Sequence, residues 1–230
     1  MLKLAIFDVD GTLVDSQRTI LSAMMEGHAA AGLEMPPKER VLGIVGLSLP
    51  IAMARLHPEA PASAVERLTA AYKTAYRVAR EAGGGESTVP FYPGAFDALE
   101  RLDRAGWLMA VATGKARRGL AHMLEIHGLG RYFVATQTAD DAPSKPHPGM
   151  IENLLAETGV ATAQAVIIGD TRFDLEMAAN AGIASVGVSW GYHPVASLSE
   201  AGPYRIIDSF EDLDAALDGA LMQASDGVAP

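Results

Sequence analysis

Six short runs along the chain are apolar nearly throughout, with no alternation of polar and apolar residues. They are Leu4-Ala5-Ile6-Phe7, Leu108 to Thr113, Tyr132 to Thr136, Ala165 to Gly169, Ala184 to Val188 and Arg205 to Ile207. A strand with one face in water alternates, whereas a strand covered on both faces reads as a continuous apolar run. Between these runs lie segments with helical spacing: Phe96 to Ala105, Arg117 to His127, Met150 to Thr158, Leu175 to Ala181 and Leu213 to Met222. Strand and helix in alternation predict βαβ units and a parallel sheet, so the expected fold class is α/β with a Rossmann-like parallel core.

Residues 16–82 break that rhythm. They hold helical patterns at Thr19 to Ala31, Pro37 to Val45 and Ala62 to Arg80, and nothing long that resembles a strand. The simplest reading is a helical cap inserted after the first strand. Gly83-Gly84-Gly85-Glu86-Ser87 then reads as a flexible return linker, and Phe91-Tyr92-Pro93-Gly94 as the point of re-entry. The expected division is a core of residues 1–15 and 84–230 and a cap of residues 16–83, with a frayed tail from Ser225 to Pro230.

Composition narrows the functional classes. The 230 residues are 49% hydrophobic, enough for a sizeable core, with no cysteine for disulfides, thiolate chemistry or Cys-type zinc sites. The formal net charge of −10 and the lack of any Lys/Arg block argue against nucleic acid as a partner. No apolar run is long enough for a spanning helix, so no membrane partner is expected. Met1 to Val9 lacks the basic start and cleavage site of a signal peptide and runs into Asp8 and Asp10, which predicts a buried strand and a cytoplasmic protein. Oligomeric state is not encoded in any pattern here.

Four clusters carry chemistry, each where a parallel strand ends, the edge at which open α/β sheets bind ligands. The first is Asp8-Val9-Asp10-Gly11-Thr12. Two carboxylates leaving one strand repel unless a cation sits between them. Oxygens from Asp8 and from the Asp10 backbone carbonyl suit Mg²⁺. Asp8 would be a nucleophile, and Asp10 would give a proton to the leaving oxygen and later take one from water. The plain alternative is an Asp- and Gly-rich turn after a strand.

Thr113-Gly114-Lys115 forms the second cluster, in which a hydroxyl and backbone N–H groups could approach a phosphoryl oxygen. Lys115 could reach a substrate anion or lie on the surface. Third is Ser144-Lys145-Pro146-His147-Pro148, where a lysine held by prolines could neutralise Asp8 and an incoming phosphate; His147 reads as a loop residue. The fourth, Gly169-Asp170-Thr171-Arg172-Phe173-Asp174, places two carboxylates four residues apart, on one face and able to share a cation. Acidic residues also stabilise a helix N-terminus with no metal present. Together the clusters supply a nucleophile, an acid–base partner, a phosphate clamp, a cation and metal carboxylates, the inventory of phosphoryl transfer.

At these residues the sequence resembles the haloacid dehalogenase (HAD) superfamily. Asp8-x-Asp10-Gly11-Thr12, Thr113-Gly114, Lys145-Pro146 and Gly169-Asp170-x-x-x-Asp174 stand in its order, and the insert resembles its C1 cap. "FDVDGTLVDS", "TGK", "SKPHP" and "GDTRFDLEMAANAG" are most similar to the phosphoglycolate phosphatase-like branch. The resemblance implies a Rossmann-like core, Mg²⁺, an aspartyl-phosphate on Asp8 and a small phosphorylated metabolite as substrate, with phosphoglycolate as the candidate. Dehalogenases and phosphonoacetaldehyde hydrolases lack the second carboxylate of the first motif, whereas Asp10 is present here.

The substrate carboxylate would need a cation, for which Lys115, Arg40 and Arg55 are the candidates. A phosphosugar mutase of the same fold and a non-catalytic binding protein are the alternatives. Thr12 to Ser16 and the Gly83–Gly85 run are the expected hinges of a cap that opens and closes.

Overall fold

The computed structural model describes residues 1–82 and 89–226. Six parallel strands form one sheet: β1 (Leu4–Phe7), β2 (Leu108–Ala112), β3 (Phe133–Gln137), β4 (Ala165–Gly169), β5 (Ala184–Val188) and β6 (Arg205–Ile207). Their spatial order is β3-β2-β1-β4-β5-β6. Strand order reverses between β1 and β4, and a crevice opens there at the carboxyl edge.

Alternate β1 residues enter different cores, which explains the unbroken apolar run. Ala5 and Phe7 join one cluster with Ala98, Leu99 and Leu102 of α5 (Ala95–Arg104) and with Leu213 and Leu217 of α10 (Leu213–Asp226). Leu4 and Ile6 join another with Met150 and Leu154 of α7 (Gly149–Thr158) and with Met177 of α8 (Arg172–Ala181). Helix α6 (Arg117–Ile126) adds Leu120 and Met123 to the first. Phe7 pairs in register with Val111 and Ile168. The residues leaving β1, β2 and β4 therefore reach the edge at the same height.

The insert between β1 and α5 is helical, with α1 (Gln17–Ala31), α2 (Lys38–Leu42), α3 (Leu49–Leu56) and α4 (Ala62–Ala82). It has an apolar cluster of its own, including Ile20, Met24, Val41, Leu56 and Leu68, into which the core residue Phe173 also packs. A Cβ at Gly27 of α1 would lie 3.1 Å from the Tyr72 backbone, so the glycine lets α1 and α4 approach closely. Among the described residues no helix is long and apolar enough to cross a membrane.

Several elements depart from expectation. The helix read from Pro37 to Val45 spans only Lys38–Leu42, turns follow to Gly46, and α3 begins at Leu49. Helix α3 and the six-residue α9 (Val195–Glu200) carried too little periodicity to be read. Helix α8 starts at Arg172, three residues before the expected Leu175, because Thr171 and Asp174 close a capping box. Helix α10 continues through Asp226, so Ser225 and Asp226 are helical rather than frayed.

The expected linker Gly83–Gly85 and residues 227–230 lie outside the described residues. The first connection is not a loose strap. Val14 bridges Asp10 and Phe91, the Asp15 N–H donates to Pro90 O at 2.8 Å, and the Tyr92 N–H donates to Leu13 O at 3.0 Å.

Candidate active site

The four clusters meet at the crevice. Asp8 leaves β1, its N–H still donating to Ile168 O of β4 at 3.0 Å. Asp170 leaves β4, and Asp174 follows on the first turn of α8. Acceptor atoms of Asp8, Asp170 and Asp174 lie within 4.8 Å of one another, and all three side chains are buried. At that separation and an effective dielectric of about 20, each charged pair repels by roughly 3 kcal/mol.

Lys145 offsets part of that repulsion. Its ammonium lies 2.5 Å from Asp174 Oδ1 and 2.9 Å from Asp8 Oδ1, and the lysine is itself 1% exposed. Burial alone would push Lys145 down, but the attraction of Asp174 and Asp8 outweighs it and holds the ammonium above the usual lysine range. For the acids burial wins. It raises Asp8 to about 7 against the pull of Lys145, with Asp174 and Asp10 adding to the rise. It also raises Asp170 well above the carboxylate range, with Asp8 and Asp174 contributing.

The acids differ in how their oxygens are used. Asp170 Oδ1 accepts from Thr12 Oγ at 2.9 Å and Oδ2 from the Tyr192 N–H at 2.9 Å. Asp174 Oδ1 accepts from Lys145, and its Oδ2 accepts from both the N–H and the hydroxyl of Thr171, at 3.1 and 2.7 Å. Asp8 is the least satisfied of the three: the Lys145 ammonium 2.9 Å from Oδ1 is its side-chain contact, and neither oxygen has a further hydrogen-bond partner among the described residues. Three carboxylates against one ammonium leave two negative charges. A divalent oxygen-loving cation at Asp8 and Asp170 would neutralise both and use the Asp8 lone pairs that Lys145 leaves over, so the residues fit Mg²⁺. The backbone leaves no room for side chains there, since a Cβ on Gly11 or on Gly191 would come within 2.1 Å of Asp170.

Asp10 turns away from this cluster, and its carboxylate is not part of it. Lys115 Nζ donates to both of its oxygens at 2.9 Å, and Ser16 Oγ donates to Oδ1 at 2.6 Å. With the Ser16 proton committed to Asp10, Tyr192 donates in turn to Ser16 Oγ at 2.9 Å. Lys115 is thus not a surface lysine: it lines the cavity with its ammonium on Asp10. It also reaches Tyr76 of α4, donating to the phenol oxygen at 3.3 Å. Ser16, Tyr192 and Tyr76 went unread in the sequence because no local pattern encodes the contacts of Ser16 with Asp10, Tyr192 with Ser16 or Tyr76 with Lys115.

Thr113 is buried at the end of β2, and its hydroxyl accepts from the Lys115 N–H at 3.2 Å. Gly114 is required by the insert. A Cβ there would stand 2.5 Å from Gly46 O and 2.8 Å from Leu47 O. Beside that contact the Ser48 N–H donates to Ser144 Oγ at 2.7 Å, so insert and core meet at two loops. His147 receives the Gly149 N–H at 3.1 Å, the role of a loop residue. Arg40 donates to Leu56 O at 3.1 Å and Arg55 lies over the Phe173 ring at 5.2 Å. Neither lines the cavity of about 590 Å³ that opens over Asp8 and Asp10, so neither is placed to anchor a substrate carboxylate there.

A parallel sheet with paired acids, a buried lysine and a threonine at its switch point, under a helical insert, defines a hydrolase of the Rossmann-like α/β class. The chain belongs to the haloacid dehalogenase-like hydrolase family, whose model matches residues 5–188, and is a phosphatase of the phosphoglycolate phosphatase-like branch. It is 36% identical over 229 residues to "Probable phosphatase IndB" of Dickeya dadantii, covering 99% of each chain. It is 34% identical to the phosphoglycolate phosphatase of Agrobacterium fabrum, covering 93% of this chain and 91% of the other. Among solved structures, a hydrolase from Pseudomonas syringae superposes with a TM-score of 0.82 at 26% identity, covering 95% and 98%.

Proposed function

We propose that this chain hydrolyses a small phosphate monoester through an aspartyl-phosphate on Asp8, with Mg²⁺ as cofactor, and that residues 16–83 act as the cap over the site. The observation that carries the reading is Asp8 itself: buried, on the wall of the cavity, its carboxylate partnered among the described residues by the Lys145 ammonium alone. A carboxylate kept in that state is ready to attack and costly to keep for structure alone.

Asp8 attacks phosphorus in line with the ester oxygen. Lys145 and the Thr113 hydroxyl hold the phosphoryl oxygens, and the backbone at Gly114 approaches them without a side chain in the way. Asp10, when protonated, gives its proton to the departing alkoxide, which leaves as an alcohol. Water then attacks the phosphoryl group on Asp8, Asp10 takes the proton, and phosphate and the Asp8 carboxylate are restored. Mg²⁺ bound by the Asp8 and Asp170 carboxylates and the Asp10 carbonyl would neutralise charge between the nucleophile and the phosphoryl oxygens. Asp174 could meet that ion only through lone pairs left over from its bonds to Lys145 and Thr171, so its main role is to hold Lys145 in place.

The test is phosphate release from a panel of phosphate monoesters with Mg²⁺ or with EDTA, for wild type and Asp8→Asn. Release that needs Mg²⁺ and disappears in Asp8→Asn is expected. Isomerisation of a hexose 1-phosphate without net release would replace the reading by a mutase. Binding of phosphate esters without turnover of either kind would replace it by a binding protein.

A further inference from the structure

The cavity over Asp8 and Asp10 takes in the phosphoryl site at Thr113 and Gly114 and continues along the insert. The cavity of about 590 Å³ lies well within the roughly 300–1,000 Å³ of pockets that bury drug-sized ligands. Its insert-side wall is apolar and aromatic: Ile20 and Met24 of α1, Ile44 and Val45 of the following loop, Tyr72 and Tyr76 of α4. The four aliphatic side chains are buried, and the two tyrosine rings stand 5.8 Å apart, inclined by 34°.

The charges are distributed just as unfavourably for a small acid. Lys115 is the cation nearest Asp10, and it spends two hydrogen bonds on that carboxylate. The other cations lining the cavity, Lys73, Arg77 and Arg118, are exposed, where water and salt screen them. A second carboxylate on the leaving group would thus stand against an apolar wall beside Asp10, with Lys115 already engaged by Asp10 and the other lining cations at the solvent edge. An apolar ring there would itself leave water for an apolar wall, which is favourable.

We infer that the preferred substrate is a phosphomonoester whose alcohol carries an uncharged ring-sized group seated against Ile20, Met24, Tyr72 and Tyr76, rather than a two-carbon acid such as 2-phosphoglycolate. This rests on the phosphatase reading and specifies its leaving group.

Three primary alkyl esters separate the possibilities: ethyl phosphate, 2-phosphoglycolate and 2-phenylethyl phosphate. With Mg²⁺ present, kcat/KM for the phenylethyl ester is expected to exceed that for ethyl phosphate by about ten- to a hundredfold. 2-Phosphoglycolate should do no better than ethyl phosphate. In Met24→Gln the ratio of phenylethyl to ethyl kcat/KM should fall several-fold, because a polar side chain then faces the ring. Preference for 2-phosphoglycolate, or equal kcat/KM for the two uncharged esters, would overturn the leaving-group assignment and leave the phosphatase reading standing. No release from any of the three by protein with an intact thermal transition would overturn the phosphatase reading, and this inference with it.

Discussion

Lys145 Nζ lies 2.9 Å from Asp8 Oδ1 with both side chains removed from solvent, yet Asp8 still binds its proton more tightly than an exposed aspartate. One ammonium is shared between Asp8 and Asp174, and the nearer of the two is Asp174. Asp8 is therefore left under-compensated, which suits a group that must accept a cation on one side and a phosphoryl group on the other.

That imbalance predicts a pH dependence. Asp8 titrates at about 7 in the fold, against 3.8 for an ordinary aspartate. Between those values the folded chain keeps a proton that the unfolded chain has released, so stability falls as pH rises through the window. Asp170, also raised, acts with the same sign. In EDTA the Tm of wild type should drop more steeply than that of Asp8→Asn between about pH 4 and about pH 7. Mg²⁺ should raise Tm more at the upper end, since the cation competes with the proton. Parallel pH profiles for the two proteins would show that Asp8 is not held in this state.

Removing the ammonium should do more harm than removing the carboxylate. Lys145→Met leaves Asp8, Asp170 and Asp174 buried together with no positive partner, a loss of about 3–5 kcal/mol. Asp8→Asn relieves repulsion, so its Tm in EDTA near pH 8 should equal or exceed that of wild type, while turnover falls by at least about a thousandfold. Thermal melts of both variants with and without Mg²⁺ check this. A Lys145→Met protein as stable as wild type in EDTA would mean that its ion pairs contribute little.

Much of this site was legible because its chemistry is local in sequence. Asp8 and Asp10, Thr113 and Gly114, and Asp170 each follow a strand whose apolar run is unmistakable, and the strands' register then brings them together. The surroundings of Asp10 were not legible. Ser16 and Tyr192 meet across 176 residues, and Lys115 meets Asp10 across 105. No periodicity encodes such contacts. Gly114 shows the same limit: it read as a gap for phosphate, whereas the fold also needs it bare for Gly46 and Leu47.

Lys115 fixes Asp10 through two hydrogen bonds and is joined to α4 by Tyr76. Lys115→Met should lower kcat by roughly ten- to a hundredfold, since an acid that wanders from the ester oxygen transfers its proton less often. Tyr76→Phe removes only the phenol contact and should cost less than Lys115→Met. Steady-state kcat and KM on one ester, measured for both variants, test the order. If Tyr76→Phe proved the more damaging, Asp10 would be controlled from the insert rather than by Lys115.

Gly114→Ala isolates the contact between core and insert. The added methyl would stand 2.5 Å from Gly46 O and 2.8 Å from Leu47 O, both backbone atoms that cannot swing aside. Thr113 and Lys115 on either side are anchored to Gln137 O and Asp10, so the insert loop has to give way. That displacement would also strain the bond from the Ser48 N–H to Ser144, one residue from Lys145. The overpacking should cost about 1–3 kcal/mol. Moving the loop that carries Ile44 and Val45 enlarges the cavity, so KM should rise for a ring-bearing ester more than for ethyl phosphate. A uniform fall in kcat with unchanged KM ratios would place the damage in the phosphoryl clamp instead, and would show that the loop does not shape the leaving-group wall.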